Sequence, residues 1–273
     1  TAYEISACLV GSEMCIRDRT DIVQVVLLIF GGLAVSYIAL TKIGNGYIGD
    51  GMLEVYQQMP EKFDMILSPD NPSYKNLPGI WILIGAGVWI GHFAYWGFNQ
   101  YITQRALGAK SIKEAQKGVM FAAYLKLLMP LVIVLPGICA AVLFPVLEKT
   151  DQAYPTMMIE LLPSGLLGLT FAALIAAIVS SLASMTNSIS TIFTMDICRS
   201  FSKNEIQQSS LILIGRSAVV GSMLIALVMA KPILGNSDEI FQYIQNFTGL
   251  FTPGILVIFL VALFWKKATT LSV

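Results

Sequence analysis

Six stretches of about twenty or more mostly apolar residues follow one another along the chain, near 21–43, 78–105, 118–145, 163–195, 211–230 and 239–265. A bilayer core of about 30 Å takes roughly 20 apolar residues per helix, so each stretch is long enough to cross it. Once in hydrocarbon, a backbone must satisfy its own polar groups, and that leaves helices or closed barrels. The segment lengths are those of helices, which predicts an all-α polytopic membrane protein with about six transmembrane helices. Composition agrees: 56% of the 273 residues are hydrophobic and 12% are charged, against roughly 45–50% and about 25% in soluble domains.

Lys+Arg and Asp+Glu balance at 17 each, so net charge gives no reason to expect nucleic acid as a partner; the lipid bilayer is the expected one. The placement of the charges sets the expected orientation. Segment 44–77 is acidic and so is 146–162, whereas 105–117 carries Arg105, Lys110, Lys113 and Lys117, and 196–216 carries Arg199, Lys203 and Arg216. Because positive loops stay inside, Thr20 and segments 105–117, 196–210 and 266–273 are expected on the cytoplasmic side.

Residues 1–19 read differently from the rest. They show no sustained helical period, and their apolar run is too short and too charged for a signal peptide. We expect 1–19 to be a non-native, adapter-derived leader and 20–273 to be a partial transporter domain, a fragment of a larger bundle. Cys8 and Cys15 then drop out of any disulfide argument. Cys139 and Cys198 remain as packing residues, because neither spacing nor setting suggests a bridge.

Polar interruptions inside apolar spans show where a binding cavity should lie, since irregular backbone at membrane depth survives only when it is buried or lines a cavity. The first is Trp89 to Arg105, which holds Gly91, His92, the Tyr95–Trp96 pair, Gly97 and Asn99. A break is predicted near Gly91 to Gly97, because glycine costs about 1 kcal/mol in a helix interior. The second is Phe241 to Gly254, where Gly249, Pro253 and Gly254 predict a break after Thr248. Two interrupted spans point to a secondary transporter with its site near the midplane.

Several side chains in these spans are candidates for that site. Tyr95 and Trp96 offer flat apolar faces with a polar edge, suited to the C–H face of a sugar; an interfacial belt is the competing use. His92, the one histidine, suits either a ligand or a packed core. Lys126 lies about eight residues into its span, where a lysine is costly and usually functional, although its stem can also snorkel to the interface. Ala177, Ser180, Ser181, Ser184 and Ser188 recur at helical spacing as one small, hydroxyl-rich stripe, which serves close packing or oxygen coordination of Na⁺. Asp21 and Gln24 share a face, with Asp21 equally suited to capping its helix beside Thr20.

Thr20-Asp-Ile-Val-Gln24, the run from Tyr95 to Leu107, Lys110 to Gly118, the Ala-Ala-Ile-Val-Ser-Ser run from Ala176, and Phe241 to Gln245 with Thr248-Gly249 together resemble the sodium:solute symporter family. The closest resemblance is to its bacterial sodium/galactose (sodium/glucose-type) symporters, and it covers nearly all of 20–267. It implies a leucine-transporter-type inverted-repeat fold, of which this chain would hold the last helix of the first repeat and all of the second. It also implies Na⁺-coupled symport of a sugar by alternating access in a bacterial inner membrane, with Na⁺ as the co-transported ion, no organic cofactor and no enzymatic step. By the same resemblance Ala177 (through its carbonyl), Ser180 and Ser181 belong to the Na⁺ site, and Asp21 to the ion's exit path. Lys126 and Gln245 bond sugar hydroxyls, Tyr95 is the inner gate with Trp96 beside it, and Phe241 belongs to the outer gate. His92 stands where those symporters carry a sugar-binding asparagine, and Ala94 where they carry a tyrosine. Another hexose, a deoxysugar or inositol therefore stays open as the substrate, as does a non-transporting membrane sugar sensor.

Overall fold

The computed structural model describes residues 2–64, 66–71, 74, 80–84, 87–147, 149–202, 206–234, 240–267 and 269; the side chains of 2–18, 82, 83 and 234 fall outside the description. Cys8, Cys15 and the loop charges Lys75, Glu148 and Lys203 are therefore outside it. Every regular element among the described residues is helical. Five helical stretches are long and apolar enough to cross a membrane: Arg19–Ile43, Ile112–Leu143, Ser164–Phe201, Gln208–Ile233 and Ile240–Phe264.

The first helix, α1 (Ala2–Ile43), runs unbroken through Arg19. At its other end Asn45 and Gly46 take positive φ, which ends the helix and turns the chain into α2 (Ile48–Gln58). Gly51 of α2 lies against the carbonyl of Leu40, so close that a Cβ there would collide with it. The two helices consequently pack as a tight hairpin around Val35, Ala39, Leu40 and Val55, all buried.

The 78–105 segment contains no single span-length helix among its described residues. It comprises α3 (Ile80–Ile84), α4 (Gly87–Phe93), a π-helical turn at Ala94–Phe98 and α5 (Gln100–Leu107). The next span divides in the same manner into α6 (Ile112–Lys126), a π turn at Pro130–Val134 and α7 (Leu135–Leu143). Prolines 130 and 136 cause this division, since a proline has no N–H for the preceding turn. Ser36 of α1 answers the deficit: its hydroxyl donates to the carbonyl of Leu131 at 2.5 Å.

Leu135, Cys139 and Ala140 of α7 join α1 and α2 in the buried core, together with Met157 and Met158 of α8 (Ala153–Leu161). The long α9 (Ser164–Thr191) crosses α1 where Gly31 meets Thr170, with no room for a Cβ between them. A third π turn at Ile192–Cys198 leads into α10 (Arg199–Phe201), and α11 (Gln208–Leu234) returns along α9 with Gly215 against Ser190 and Thr194. Outside this core the large apolar side chains are open, for example Leu227 at 74% and Phe264 at 77% exposure. Exposure on this scale marks membrane or partner contact.

The last helix, α12 (Ile240–Phe264), is continuous through Pro253. This corrects the expected second interruption after Thr248. Thr248 donates to the carbonyl of Ile244 at 2.9 Å and Thr252 to that of Thr248 at 2.7 Å. Proline is tolerated in membrane helices where side-chain hydroxyls, neighbouring helices or small local adjustments re-satisfy the backbone. The irregular turns instead follow Phe93, Met129 and Thr191, so π turns rather than the glycine–proline cluster carry the additional breaks.

Candidate functional site

The break in the 78–105 segment begins with five residues of wide π turn, Ala94–Phe98, which carry Tyr95 and Trp96. Asn99 then leaves the helical region (φ −81°, ψ 112°) and restarts the chain as α5 by N-capping: its side-chain oxygen accepts the N–H of Tyr101 at 3.3 Å. Short polar side chains do this because the first turn of a helix has free N–H groups. The break thus falls at the later end of the expected Gly91 to Gly97 stretch, with Gly91 inside α4 and Gly97 inside the turn. On its far side the turn is pinned by Phe98, which stacks on Phe259 of α12 at 4.4 Å between ring centroids.

The aromatic pair and the intramembrane lysine come together. Tyr95 and Trp96 meet edge to face at 5.6 Å, and the Lys126 ammonium lies 4.5 Å over the Trp96 ring. Lys126 ends α6, at the start of that span's own irregular stretch. The Tyr95 hydroxyl is 3.3 Å from that of Tyr101. His92 is exposed on α4, one turn before Trp96. Flat rings beside a multivalent N–H donor suit a small ring with apolar faces and hydroxyl edges. A cation over an exposed ring is worth only about 0.5–1 kcal/mol, little enough for a ligand to displace.

A second group forms where α1, α5 and α9 converge. The serine stripe of α9 turns one edge inward, with Ser184 and Ser188 buried and Ser180 and Ala177 partly buried, while Ser181 is exposed. Ser180 donates to Asp21 Oδ1 at 2.5 Å. Arg105 Nη2 lies 3.1 Å from Asp21 Oδ2 and 3.1 Å from Ser184 Oγ. Asp21 therefore joins helices well inside α1 and does not cap it, which corrects the local capping explanation. Among the described residues no three His, Cys, Asp or Glu side chains gather. The oxygens gathered here are hydroxyls, helix carbonyls and one carboxylate, a donor set of hard ligands.

Phe241 and Gln245 lie elsewhere on α12. No hydrogen bond or ring contact among the described residues joins them to Tyr95, Trp96 or Lys126. From Phe259, which touches the π turn, Gln245 is 14 residues back, about 21 Å along the helix at 1.5 Å per residue. Arg105 was read in the sequence only as a loop charge. The helical period places Tyr101 and Arg105 on one face of α5, but no sequence signal places Asp21 and Ser184 against that face.

An all-α polytopic membrane protein with a span broken at an aromatic pair, and with a carboxylate and serines in register nearby, has the architecture of a secondary transporter. The model of the sodium:solute symporter family matches residues 17–271, and the chain belongs to that family. It is 47% identical over 270 residues to a sodium/glucose cotransporter of Vibrio parahaemolyticus, covering 92% of this chain and 49% of that protein. To an uncharacterized symporter, YidK, of Escherichia coli (strain K12) it is 31% identical, over 92% of this chain and 43% of the other. To the Homo sapiens sodium/myo-inositol cotransporter 2 it is 30% identical, over 91% and 40%. The chain thus spans about half the length of the curated relatives it matches.

Proposed function

We propose that this chain is part of a Na⁺-coupled sugar symporter that works by alternating access in a bacterial inner membrane. The observation that carries the reading is the meeting of Lys126, Trp96 and Tyr95 at a helix break, in a chain 47% identical to a sodium/glucose cotransporter. Tyr95 closes the inner side of the sugar site, Trp96 stacks beside it, and Lys126 and His92 donate to ring hydroxyls. Gln245 and Phe241 act from α12, the latter at the outer gate. Ser180, Ser181 and the carbonyl of Ala177 hold Na⁺, and Asp21 lies on its way out. The Asp21–Ser180 bond supports this role, since a hydroxyl that donates to a carboxylate keeps its lone pairs for a cation.

The proposed domain runs from 20 to 273, as the last helix of one inverted repeat and the second repeat, with 1–19 a non-native leader. Thr20 and the basic segments 105–117 and 196–210 face the cytoplasm. Coupling arises because each ligand prefers one of two states; a 100 mV potential adds about 2.3 kcal/mol per Na⁺ to the concentration term. No covalent chemistry is required of these side chains.

Uptake of labelled galactose into proteoliposomes holding the full-length transporter tests the reading. Uptake should be fast with Na⁺ outside and near background with K⁺; equal rates in both salts contradict it. A second substrate reading, myo-inositol, draws on His92, since an imidazole offers one hydrogen bond in place of an amide's donor–acceptor pair. Competition by unlabelled myo-inositol against labelled galactose decides between them. Retained sugar binding with no flux would instead indicate a sensor.

A further inference from the structure

The symport reading leaves Arg105 unused, although it joins three helices through one polar network. Its guanidinium comes from α5, while its partners come from α1 (Asp21) and α9 (Ser184), 84 and 79 residues away in sequence. Both carboxylate oxygens of Asp21 are engaged, Oδ2 by Arg105 at 3.1 Å and Oδ1 by Ser180 at 2.5 Å. A positive charge is thus already seated one helical turn from Ser180 and Ser181, on a carboxylate that a passing cation would need.

We infer that Arg105 is a tethered counter-cation, which sits on Asp21 and Ser184 when the ion is absent and competes with Na⁺ for the carboxylate of Asp21. This rests on the Na⁺-coupled reading above. Two cations within a few ångströms of one carboxylate repel each other; Asp21 is 20% exposed and Ser184 fully buried, while Arg105 at 41% exposure is partly screened by water, which keeps the competition modest. Guanidinium suits the position because it stays charged and can bridge two acceptors with fixed geometry.

The placement also links the ion to the sugar gate. Arg105 is one turn beyond Tyr101 on α5, and Tyr101 shares its hydroxyl contact with Tyr95 at 3.3 Å. Helix α5 is short, begins at the Asn99 cap, and carries Tyr101 at one end and Arg105 at the other. Displacement of the guanidinium by Na⁺ therefore moves or frees the helix whose other end touches Tyr95. Arg105 acts through Asp21 and Ser184, as a positioning residue.

Equilibrium binding of labelled Na⁺ and labelled galactose to the purified full-length transporter tests this. Arg105→Gln removes the competitor, so half-saturation by Na⁺ should fall roughly two- to tenfold, the scale of one partly exposed charged hydrogen bond. Galactose affinity at saturating Na⁺ should stay at the wild-type value, and Arg105→Lys should restore most of the wild-type Na⁺ dependence. An Arg105→Gln protein that binds galactose normally but needs the same or more Na⁺ overturns the inference, because a purely structural tie predicts that outcome. If Arg105→Gln does not fold, Ser184→Ala weakens the guanidinium's seat more gently: a smaller fall in Na⁺ half-saturation supports the inference, and no change refutes it. Wild-type protein that binds galactose but no Na⁺ would remove the coupled-transport reading itself, an outcome distinct from failure of the variants alone.

Discussion

Two side chains carry most of the proposed chemistry, and each makes a testable claim. Lys126 lies 4.5 Å over Trp96, so Lys126→Ala should remove both a charged donor and the cation that covers the ring. We expect at least a tenfold loss of galactose uptake, read mainly in KM, since truncating one charged hydrogen bond costs about 1.5–3 kcal/mol. Trp96→Ala should weaken galactose binding by a similar factor; wild-type kinetics in both variants would exclude this group from the site. On the ion side, Ser181→Ala should raise half-saturating Na⁺ while leaving sugar affinity at saturating Na⁺ nearly unchanged. Lys126, Tyr95 and Trp96 stand out in the sequence because polar or amphipathic groups are expensive at membrane depth. Arg105 does not: a loop-end arginine is ordinary in composition, and only three-dimensional convergence of α1, α5 and α9 gives it Asp21 and Ser184 as partners.

At the level of the element, the broken 78–105 span turns on the Asn99 cap and the π turn before it. Asn99→Ala should cost about 1 kcal/mol, the usual value of an N-cap, and so lower the thermal midpoint modestly. Asn99→Asp or Asn99→Ser, which can cap, should restore it; equal midpoints in all three would show that the cap does not fix α5. The apolar run lengths foretell the spans well, and five of the six appear as long helices. The interruptions are read less well. Glycine and proline are local signals, whereas a carbonyl left without a partner can be satisfied from outside the helix. Ser36 does this across helices for the Pro130–Val134 turn, whereas α12 stays whole through Pro253 with Thr248 and Thr252 bonded back to the carbonyls one turn earlier. No local pattern distinguishes those cases, because the outcome depends on which hydroxyl is near.

For the whole molecule, the core joins α1, α2, α7 and α8, while α11 and α12 present largely open apolar faces. Gly31 and Gly32 of α1 sit against Thr170 and Val132 with no space for a side chain, which fixes how α1 crosses α9 and the Pro130–Val134 turn. Gly31→Val should therefore separate these helices and with them Asp21 from Ser180; full-length transporter carrying it should lose Na⁺-dependent uptake, in contrast to Gly91→Val, where open space surrounds the position. The central claim is that ion and sugar move together, and the most direct measurement is reversed coupling. Proteoliposomes loaded with galactose and labelled Na⁺ at equal Na⁺ concentrations inside and out, with the membrane potential clamped at zero, are diluted into sugar-free medium. The account predicts that the outward sugar gradient accelerates labelled Na⁺ efflux well above the sugar-free control; efflux that is the same with and without galactose would contradict it.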